Sequence, residues 1–310
     1  IIVTGGAGFI GSNLVDYLLE NKQDLIIIDD LSTGKLANLA HSMNRITFVN
    51  KKVEDVDLDV FKGIDAVVHL AAQASVPLSI VEFKNSSKTN LLATINVIDY
   101  CSSKNIPLVY ASSSAVYGGL DLGDDEVNKV DLLSPYAADK FSMELYASVA
   151  NKLHNLSSVG LRFFNVYGPR QDPSSPYSGV ISIFVDKMVN RQQIVVNGGY
   201  QTRDFIFVND VVKCIYKSLL LARNDNVFES VNVLTGVSTS IDRLVDILSD
   251  KIGHSVDKKY QSLDKGDVEH SSGTQNKMVR MFNVDSDSFT DMARGLEITI
   301  DFLKLEDKER

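Results

Sequence analysis

Residues 1–12 of the chain read Ile1-Ile2-Val3-Thr4-Gly5-Gly6-Ala7-Gly8-Phe9-Ile10-Gly11-Ser12. The apolar start is typical of a short buried strand, and apolar residues at helical spacing follow the glycines from Ser12 to Glu20. A second apolar segment, Leu25 to Ile28, ends in Asp29. Strand, glycine loop, helix, strand and acid is the order of a dinucleotide-binding unit. The sequence therefore predicts that this region binds a dinucleotide cofactor.

The glycines of the loop and Asp29 have separate roles in that prediction. Gly5 permits the tight turn after the strand, Gly8 lets the backbone approach a pyrophosphate, and Gly11 lets helix and strand pack closely. Asp29, 18 residues after Gly11, is placed to accept a hydrogen bond from the adenosine ribose, and its charge would repel a 2′-phosphate. We therefore predict NAD rather than NADP. The remaining cofactor contacts expected from this loop are Phe9 and Ile10.

Strands and helices continue to alternate over roughly the first 170 residues. Further strand-like segments lie at 46–49, 66–70, 108–112 and 159–163, and long helical patterns lie at 85–104 and 134–153. Such alternation predicts an α/β fold, a Rossmann-type doubly wound parallel sheet with a smaller C-terminal α/β substrate-binding domain. We place the NAD-binding domain at 1–173 and the second domain at 174–310, with part of 205–235 packing back onto the first.

Other cofactor contacts are expected where strands end, because ligands of open parallel sheets bind beyond the carboxyl ends of the strands. The small residues of Leu70-Ala71-Ala72 predict close approach of backbone to the cofactor. Asp55 is placed either to reach the adenine amino group or to cap a helix. Asn90 either contacts the cofactor or is a buried structural amide. His69, inside an apolar strand, is interpreted as a hydrogen-bonded core histidine.

A second feature at the same edge is Ser112-Ser113-Ser114-Ala115-Val116-Tyr117-Gly118, which is followed by Tyr136-Ala137-Ala138-Asp139-Lys140. Tyr136 and Lys140 are four residues apart, so on a helix they project from one face. A lysine ammonium is expected to lower the pKa of a neighbouring phenol from about 10 toward the working range of a general base. Ser113 can hydrogen-bond the same substrate oxygen. The set predicts oxidation of an alcohol with hydride transfer to the cofactor.

Composition limits the partners of the chain. A formal net charge of −9 argues against nucleic acid or an anionic membrane as the main partner. The two cysteines, Cys101 and Cys214, lack metal or redox spacing, so we expect reduced thiols and no metal site. No charged leader and no apolar segment of about 18 residues is present, which favours a cytoplasmic protein.

Together these motifs resemble the extended short-chain dehydrogenase/reductase family, in its nucleotide-sugar branch. The matching segments are, in order, Thr4–Ser12, His69–Ala72, Ser112–Gly118, Tyr136–Lys140, Arg162–Pro169 and Arg203–Asp210. The resemblance implies a tightly held NAD, Tyr136 as general acid/base, Lys140 also holding the nicotinamide ribose, and Ser113 at the 4-hydroxyl of a UDP-sugar. It also implies a homodimer, which this family commonly forms through its two long helices.

The reaction expected within this branch depends on the residues after Ser113. Dehydratases and decarboxylases of the branch have acidic residues there, whereas this chain has Ser114, a predicted substrate contact, and Ala115. Without a carboxylate to protonate a leaving hydroxyl, dehydration is disfavoured. The remaining reaction is oxidation at C4, rotation of the 4-keto sugar and return of the hydride, which is 4-epimerisation.

Further substrate contacts follow from the resemblance. Arg203 matches a phosphate-binding arginine, with a surface ion pair as the alternative, and Asn165 matches a residue at the nucleotide-sugar. Ser75 resembles a sugar-contacting position, and Lys265 occupies the place of a second arginine that the family usually has. Ser271 aligns with a gatekeeper beside the C2 substituent of the sugar, with an exposed polar loop as the alternative. Because serine is small, it favours UDP-GlcNAc and UDP-GalNAc, with UDP-Glc and UDP-Gal as additional substrates.

Three other functions remain open from the sequence. The first is a 4-epimerase of UDP-glucuronate or UDP-glucose. The second, from another class, is a non-catalytic NAD-binding sensor on the same fold, which the intact Ser113, Tyr136 and Lys140 disfavour. The third is an oxidoreductase that releases NADH and would respond to added NAD.

Overall fold

A computed structural model of the chain describes residues 1–127, 129–175, 178–224, 226–263 and 268–309. The chain divides into two compact units. The first contains Ile1–Val116, Leu132–Phe163 and Val212–Val231, and the second contains Tyr117–Asp131, Phe164–Val211 and Asn232–Arg310. The second unit thus begins before residue 174 and includes a segment from within the first 173 residues.

The secondary structure alternates as the sequence pattern indicates. The strands are β1 (Ile2–Thr4), β2 (Leu25–Ile28), β3 (Ile46–Val49), β4 (Val67–His69), β5 (Leu108–Ser113), β6 (Ser158–Phe163), β7 (Asn165–Tyr167), β8 (Ile194–Asn197), β9 (Thr202–Phe207), β10 (Phe228–Val233), β11 (Ser238–Ser240), β12 (Lys258–Gln261) and β13 (His270–Ser271). The helices are α1 (Phe9–Glu20), α2 (Val76–Val81), α3 (Phe83–Ser87), α4 (Ala93–Lys104), α5 (Pro135–His154), α6 (Val180–Val189), α7 (Val208–Asn224), α8 (Ile241–Ile252), α9 (Asn276–Phe282) and α10 (Met292–Glu309).

The first unit is built on a sheet of seven strands among the described residues. Its strand order is β10-β6-β5-β4-β1-β2-β3, and β1 to β6 pair in parallel. The chain moves outward in one direction from β1 and then returns to add β4 on the other side, so the topology reverses between β1 and β4. This reversal is the hallmark of a Rossmann-type doubly wound sheet and confirms the predicted fold class. The glycine loop leaves β1 at that point.

Helices α4 and α5 pack together on the sheet, and this packing holds α5, which carries Tyr136 and Lys140, in place. Val97 and Cys101 of α4 and Met143 and Ala147 of α5 are buried in one apolar cluster with strand residues such as Leu108. Full burial of a valine, leucine or methionine side chain in this cluster stabilises the fold by about 1.5–3 kcal/mol. The position of α5 relative to the end of β5 is therefore set by the core.

Some pairings of the structure are not indicated by the local sequence pattern. The segment 165–167 forms strand β7, which pairs with β9. Strand β8 pairs in parallel with β12, about 60 residues further along the chain. The helix expected at 85–104 starts at Phe83 and contains a π-helical turn, Lys88–Leu92. Local pattern cannot reveal pairing between segments that are distant in sequence.

No helix of the described ranges is long and apolar enough to cross a membrane.

Candidate active site

The glycine loop between β1 and α1 leaves its backbone open to a ligand. Gly5 has a positive φ of 70°, and its amide donates to the carbonyl oxygen of Ile28 at 2.8 Å. A Cβ on Gly11 would collide with the Gly5 carbonyl oxygen, so only glycine lets helix α1 pass this close to the backbone of the loop. Helix α1 starts at Phe9 after Gly8, which has no side chain to cap the amides of the first turn. Such a start suits a bound anion.

Asp29, at the end of β2, holds the glycine loop in place. Its two carboxylate oxygens accept hydrogen bonds from the amides of Ala7 and Leu31, each at 2.9 Å. The side chain is buried, and burial raises the pKa of this carboxyl above its usual value. Each oxygen keeps a lone pair beyond these bonds. Ribose binding by Asp29 therefore stays a prediction that its present bonds permit.

Thr4 joins the loop of β1 to the loop of β4. Its Oγ1 accepts hydrogen bonds from the amides of Leu70 and Ala71, each at 3.2 Å. A Cβ on Gly5 would lie 2.7 Å from the Ala71 nitrogen, so the two loops pass at backbone distance. Ala72 follows and is half-buried. The structure thus brings the predicted cofactor residues of both loops together.

His69 is a structural histidine, in agreement with the interpretation from its apolar strand. Thr94 Oγ1 donates to the Asn90 carbonyl oxygen at 2.6 Å, so it accepts from His69 Nε2 at 3.0 Å. Thr4 Oγ1 then donates to His69 Nδ1 at 2.7 Å. Both ring nitrogens are satisfied in the neutral tautomer, and burial lowers the pKa of His69 to about 3.

Asn90 and Asp55 have different outcomes. The Asn90 side chain is buried, accepts from the Gln73 amide at 2.8 Å and donates to the Gln73 carbonyl at 3.1 Å and to Ser86 Oγ at 3.3 Å. These bonds are those of a buried structural amide, and contact of Asn90 with the cofactor stays a prediction. Asp55 is exposed at the end of a short 3₁₀ turn, Val53–Asp55, for which Lys52 is the N-cap, so the helix-cap alternative is wrong.

Ser113, Tyr136 and Lys140 meet beyond the carboxyl end of β5. Ser134 caps α5 through a hydrogen bond from the Ala137 amide at 3.1 Å, and the Tyr136 amide donates to Ser79 Oγ at 3.2 Å. The Tyr136 hydroxyl is hydrogen-bonded to Ser113. Lys140 Nζ donates to the Ala111 carbonyl oxygen at 2.7 Å and lies 5.7 Å from the centroid of the Tyr136 ring. One serine, one phenol and one amine therefore share a single site.

The electrostatics of this cluster correct one prediction. Burial raises the pKa of Tyr136, and the hydrogen bond from Ser113 only partly opposes it. Burial also lowers the pKa of Lys140 to about 8, against a smaller opposing effect of Asp139. The expectation that Lys140 brings the pKa of Tyr136 below its usual value is wrong for the protein alone, because burial of the phenol is the largest effect and raises its pKa.

A buried ion pair under this cluster was not predicted from the sequence. Glu144 accepts from Arg162 Nε at 2.9 Å, from Arg162 Nη2 at 2.6 Å and from Ser112 Oγ at 2.5 Å. Glu144 lies one turn after Lys140, and Ser112 precedes Ser113. An acid spaced four residues from Lys140 and an arginine inside an apolar strand were the signals available. The pair ties α5 to β5 and β6 beside the reactive residues.

Two predicted substrate residues of the second unit are neighbours. Ser271, in β13, is the register partner of Arg203 in β9, and Ser271 is half-buried. Ser271 is thus strand rather than exposed loop. Arg203 Nη1 donates to the Thr202 carbonyl at 2.8 Å. Asn165 Nδ2 donates to the Asp204 carbonyl oxygen at 3.0 Å, which places Asn165 beside the same strand.

The remaining candidates belong to other parts of the chain. In the first unit Ser75 caps α2, its Oγ accepting from the Leu78 amide at 3.1 Å, so it has a structural bond of its own. Ser114 begins a 3₁₀ turn directly after β5 and is half-buried. Lys265 lies outside the described residues. No cluster of three metal-ligating side chains occurs in the described part of the chain.

Comparison with known proteins identifies the family. The model of the NAD dependent epimerase/dehydratase family matches residues 1–233. The chain belongs to this family. As an NAD-dependent epimerase/dehydratase it uses NAD, and the open glycine loop, the uncapped start of α1 and the acidic Asp29 fit that cofactor.

Three relatives are similar over most of their length. The chain is 42% identical over 275 residues to a putative UDP-glucose 4-epimerase of Methanocaldococcus jannaschii, covering 86% of this chain and 87% of that protein. A UDP-N-acetylglucosamine 4-epimerase from Methanobrevibacter ruminantium, solved with UDP-N-acetylmuramic acid, matches with a TM-score of 0.91 and 36% identity over 98% of both chains. A UDP-glucuronic acid 4-epimerase from Bacillus cereus, solved with UDP-glucuronic acid and NAD, matches with a TM-score of 0.90 and 27% identity, covering 98% of this chain and 99% of that one.

Proposed function

We propose that the chain is a UDP-sugar 4-epimerase that interconverts UDP-GlcNAc and UDP-GalNAc through a transient 4-keto sugar and also accepts UDP-Glc and UDP-Gal. The observation that carries the proposal is the cluster of Ser113, Tyr136 and Lys140 beyond the end of β5. The chemistry assigned to this cluster is reversible proton removal from the sugar O4.

Each residue of the cluster has one task in the proposed mechanism. Bound NAD would supply a reversible hydride acceptor for C4 of the sugar. Tyr136 takes the O4 proton and later gives it back, and its bond to Ser113 orients the phenol. Lys140 keeps a positive charge near the phenol, held by its bond to Ala111. General acid–base assistance of this kind contributes about 10²–10⁴-fold to the rate.

Epimerisation is favoured over dehydration by the residues that come after Ser113. Ser114 and Ala115 continue the chain at the sites where a dehydratase needs carboxylates. Glu144, the acid of the buried ion pair described above, accepts hydrogen bonds from Arg162 and Ser112. With both of its oxygens bound in this way, the carboxylate of Glu144 is held by structural partners and is not available to a leaving hydroxyl. Oxidation at C4 is then followed only by return of the hydride.

The preference for N-acetylated sugars rests on Ser271. Its small side chain next to Arg203 leaves room for a bulky C2 substituent close to a cation suited to the diphosphate. The similarity to the Methanobrevibacter enzyme supports this choice. The similarity to the Methanocaldococcus protein favours UDP-glucose as the second candidate substrate, and UDP-glucuronate is the third.

A homodimer is proposed from the surface of α5. Leu145, Tyr146, Val149 and Leu153 are exposed on this helix, each by 47–70%. Residues 145, 149 and 153 follow a spacing of four, so they form one apolar stripe along the helix. A second copy would cover this stripe. Size-exclusion chromatography with light scattering should give twice the chain mass, and Leu153→Glu should shift it to one chain mass.

The function is tested by incubating the purified protein with UDP-GlcNAc, UDP-Glc and UDP-glucuronate without added NAD and separating the products. We expect UDP-GalNAc from the first and loss of turnover in Tyr136→Phe, which should keep its bound NAD. Tyr146→Phe removes a hydroxyl from the exposed face of the same helix and should keep full activity. Conversion of UDP-glucuronate alone, or an active Tyr136→Phe variant, would reject the proposal.

A further inference from the structure

We infer that Asn232 is the positioning residue for the C2 side of the sugar pocket, because it holds the backbone that follows Ser271. The inference rests on the proposed function, in which Ser271 lies beside the C2 substituent. Asn232, in the last part of β10, is fully buried within the second unit.

The segment after Ser271 is held on one side by a loop of the same unit. The Gly123 amide donates to the Ser272 carbonyl at 2.9 Å, and the Thr274 amide donates to the Gly123 carbonyl at 2.9 Å. Ser272 Oγ donates to the Asp121 carbonyl at 3.0 Å. With the pairing of Ser271 to β9, the segment is bonded along both edges. Its backbone position depends on this loop as much as on β9.

Asn232 connects the loop and the segment at their crossing. Its Nδ2 donates to the Gly123 carbonyl and to the Thr274 carbonyl, each at 3.1 Å. Its Oδ1 accepts from the Tyr117 hydroxyl at 2.7 Å, and the backbone amide of Asn232 donates to Asp125 Oδ2 at 2.7 Å. One side chain thus uses both amide hydrogens to bind the two chain segments to each other, while Tyr117 fixes its orientation.

The crossing is close enough to require glycine on both strands. A Cβ on Gly123 would lie 2.5 Å from the Tyr117 ring, and a Cβ on Gly273 would lie 2.6 Å from the Phe164 ring. A Cβ on Gly273 would also lie 2.9 Å from the Gly123 carbonyl oxygen, so the two backbones are in close contact and cannot shift independently without breaking the bonds to Asn232. The position of Ser271, two residues before Gly273, is therefore set by Asn232 through the backbone.

The inference is tested by comparing the affinity for UDP with that for UDP-GlcNAc by calorimetry. Asn232→Ser shortens the side chain, so it cannot reach both carbonyls. Loss of these bonds is worth about 1–1.5 kcal/mol, which predicts an approximately tenfold higher Kd for UDP-GlcNAc. The Kd for UDP, which lacks the sugar, should change less than about twofold. Tyr117→Phe keeps the Nδ2 bonds and should give a smaller change in the same direction.

The matched control is Asn151→Ser, which removes an amide that donates to the Leu156 carbonyl at 2.9 Å and to Asn226 at 3.2 Å in the first unit. It should leave both affinities unchanged. Hydrogen exchange should accelerate at the Gly123 and Thr274 amides in Asn232→Ser only. Equal loss of UDP and UDP-GlcNAc affinity, or unchanged affinity for both, would overturn the inference. Tight UDP-GlcNAc binding by a wild-type protein without turnover would instead reject the proposed function and leave the binding comparison valid.

Discussion

Replacing Glu144 with glutamine should lower the free energy of unfolding by about 3 kcal/mol. The two oxygens of Glu144 accept two hydrogen bonds from Arg162 and one from Ser112, over 2.5–2.9 Å. The side chains of Arg162 and Glu144 are only 4% and 5% exposed. Glutamine keeps the shape and one acceptor oxygen but removes the negative charge that Glu144 places against the buried guanidinium of Arg162.

The magnitude follows from the loss of the carboxylate charge of this buried pair. Breaking a buried pair by removing one partner costs about 3–5 kcal/mol, and the remaining acceptor of glutamine favours the lower value. An unfolding entropy of about 2.1 cal/mol/K per residue over 310 residues converts 3 kcal/mol into a decrease in Tm of about 5 °C. Because Ser112 precedes Ser113, kcat should fall as well.

The assay is urea and thermal unfolding followed by circular dichroism, with Glu126→Gln as the matched control. Glu126 pairs with Arg280 at 2.6 Å, but the two side chains are 45% and 63% exposed. An exposed pair of this kind is worth at most about 1 kcal/mol. A Glu144→Gln variant that loses no more stability than Glu126→Gln would refute the conclusion that burial makes the inner pair essential.

Three further predictions concern single side chains. His69 has a pKa lowered to about 3, so the unfolded state binds its proton first and stability falls as pH drops below about 6.5. In pH-dependent urea unfolding, the free energy of unfolding should fall by about 2 kcal/mol at pH 5 relative to that of His69→Gln, whose amide can donate and accept hydrogen bonds as the neutral histidine does. Burial lowers the pKa of Lys140 to about 8. In the same assay, the free energy of unfolding of the wild type should therefore increase by up to about 3 kcal/mol relative to that of Lys140→Met as pH rises from 8 toward 10.5. A difference that stays constant with pH would contradict this. Ser271→Tyr should abolish turnover of UDP-GlcNAc and retain that of UDP-Glc in product assays, and equal loss of both would reject its place beside C2.

The parts of the fold that the sequence predicted are those specified by contiguous residues. The segment from β1 through the glycine loop to Asp29 can be predicted from adjacent positions, because Gly8 and Gly11 pack against the backbone of Gly5 in the same loop. Helix α5 has the bounds Pro135–His154, one residue from the pattern predicted at 134–153, and Ser134 is its cap. The cluster at Tyr136 and Lys140 is likewise local, since four residues on a helix determine that two side chains share a face.

The parts that the sequence did not predict depend on residues far apart in the chain. The pairing of β8 with β12 and the bonds of Asn232 to Gly123 and Thr274 join segments more than 40 residues apart. The sign of the pKa change at Tyr136 has the same origin, because desolvation is set by tertiary packing rather than by the neighbouring lysine alone. Charge and spacing indicate which groups meet, while burial decides which electrostatic effect prevails.

The central claim is that the hydride removed from C4 returns to the same sugar. UDP-GlcNAc labelled with deuterium at C4 should be incubated with the purified protein in ordinary water without added NAD, and the products analysed by mass spectrometry and NMR. We expect UDP-GalNAc that retains the deuterium at C4, because the cluster of Ser113, Tyr136 and Lys140 exchanges only the O4 proton. Loss of the label to water, or the absence of UDP-GalNAc, would contradict this account.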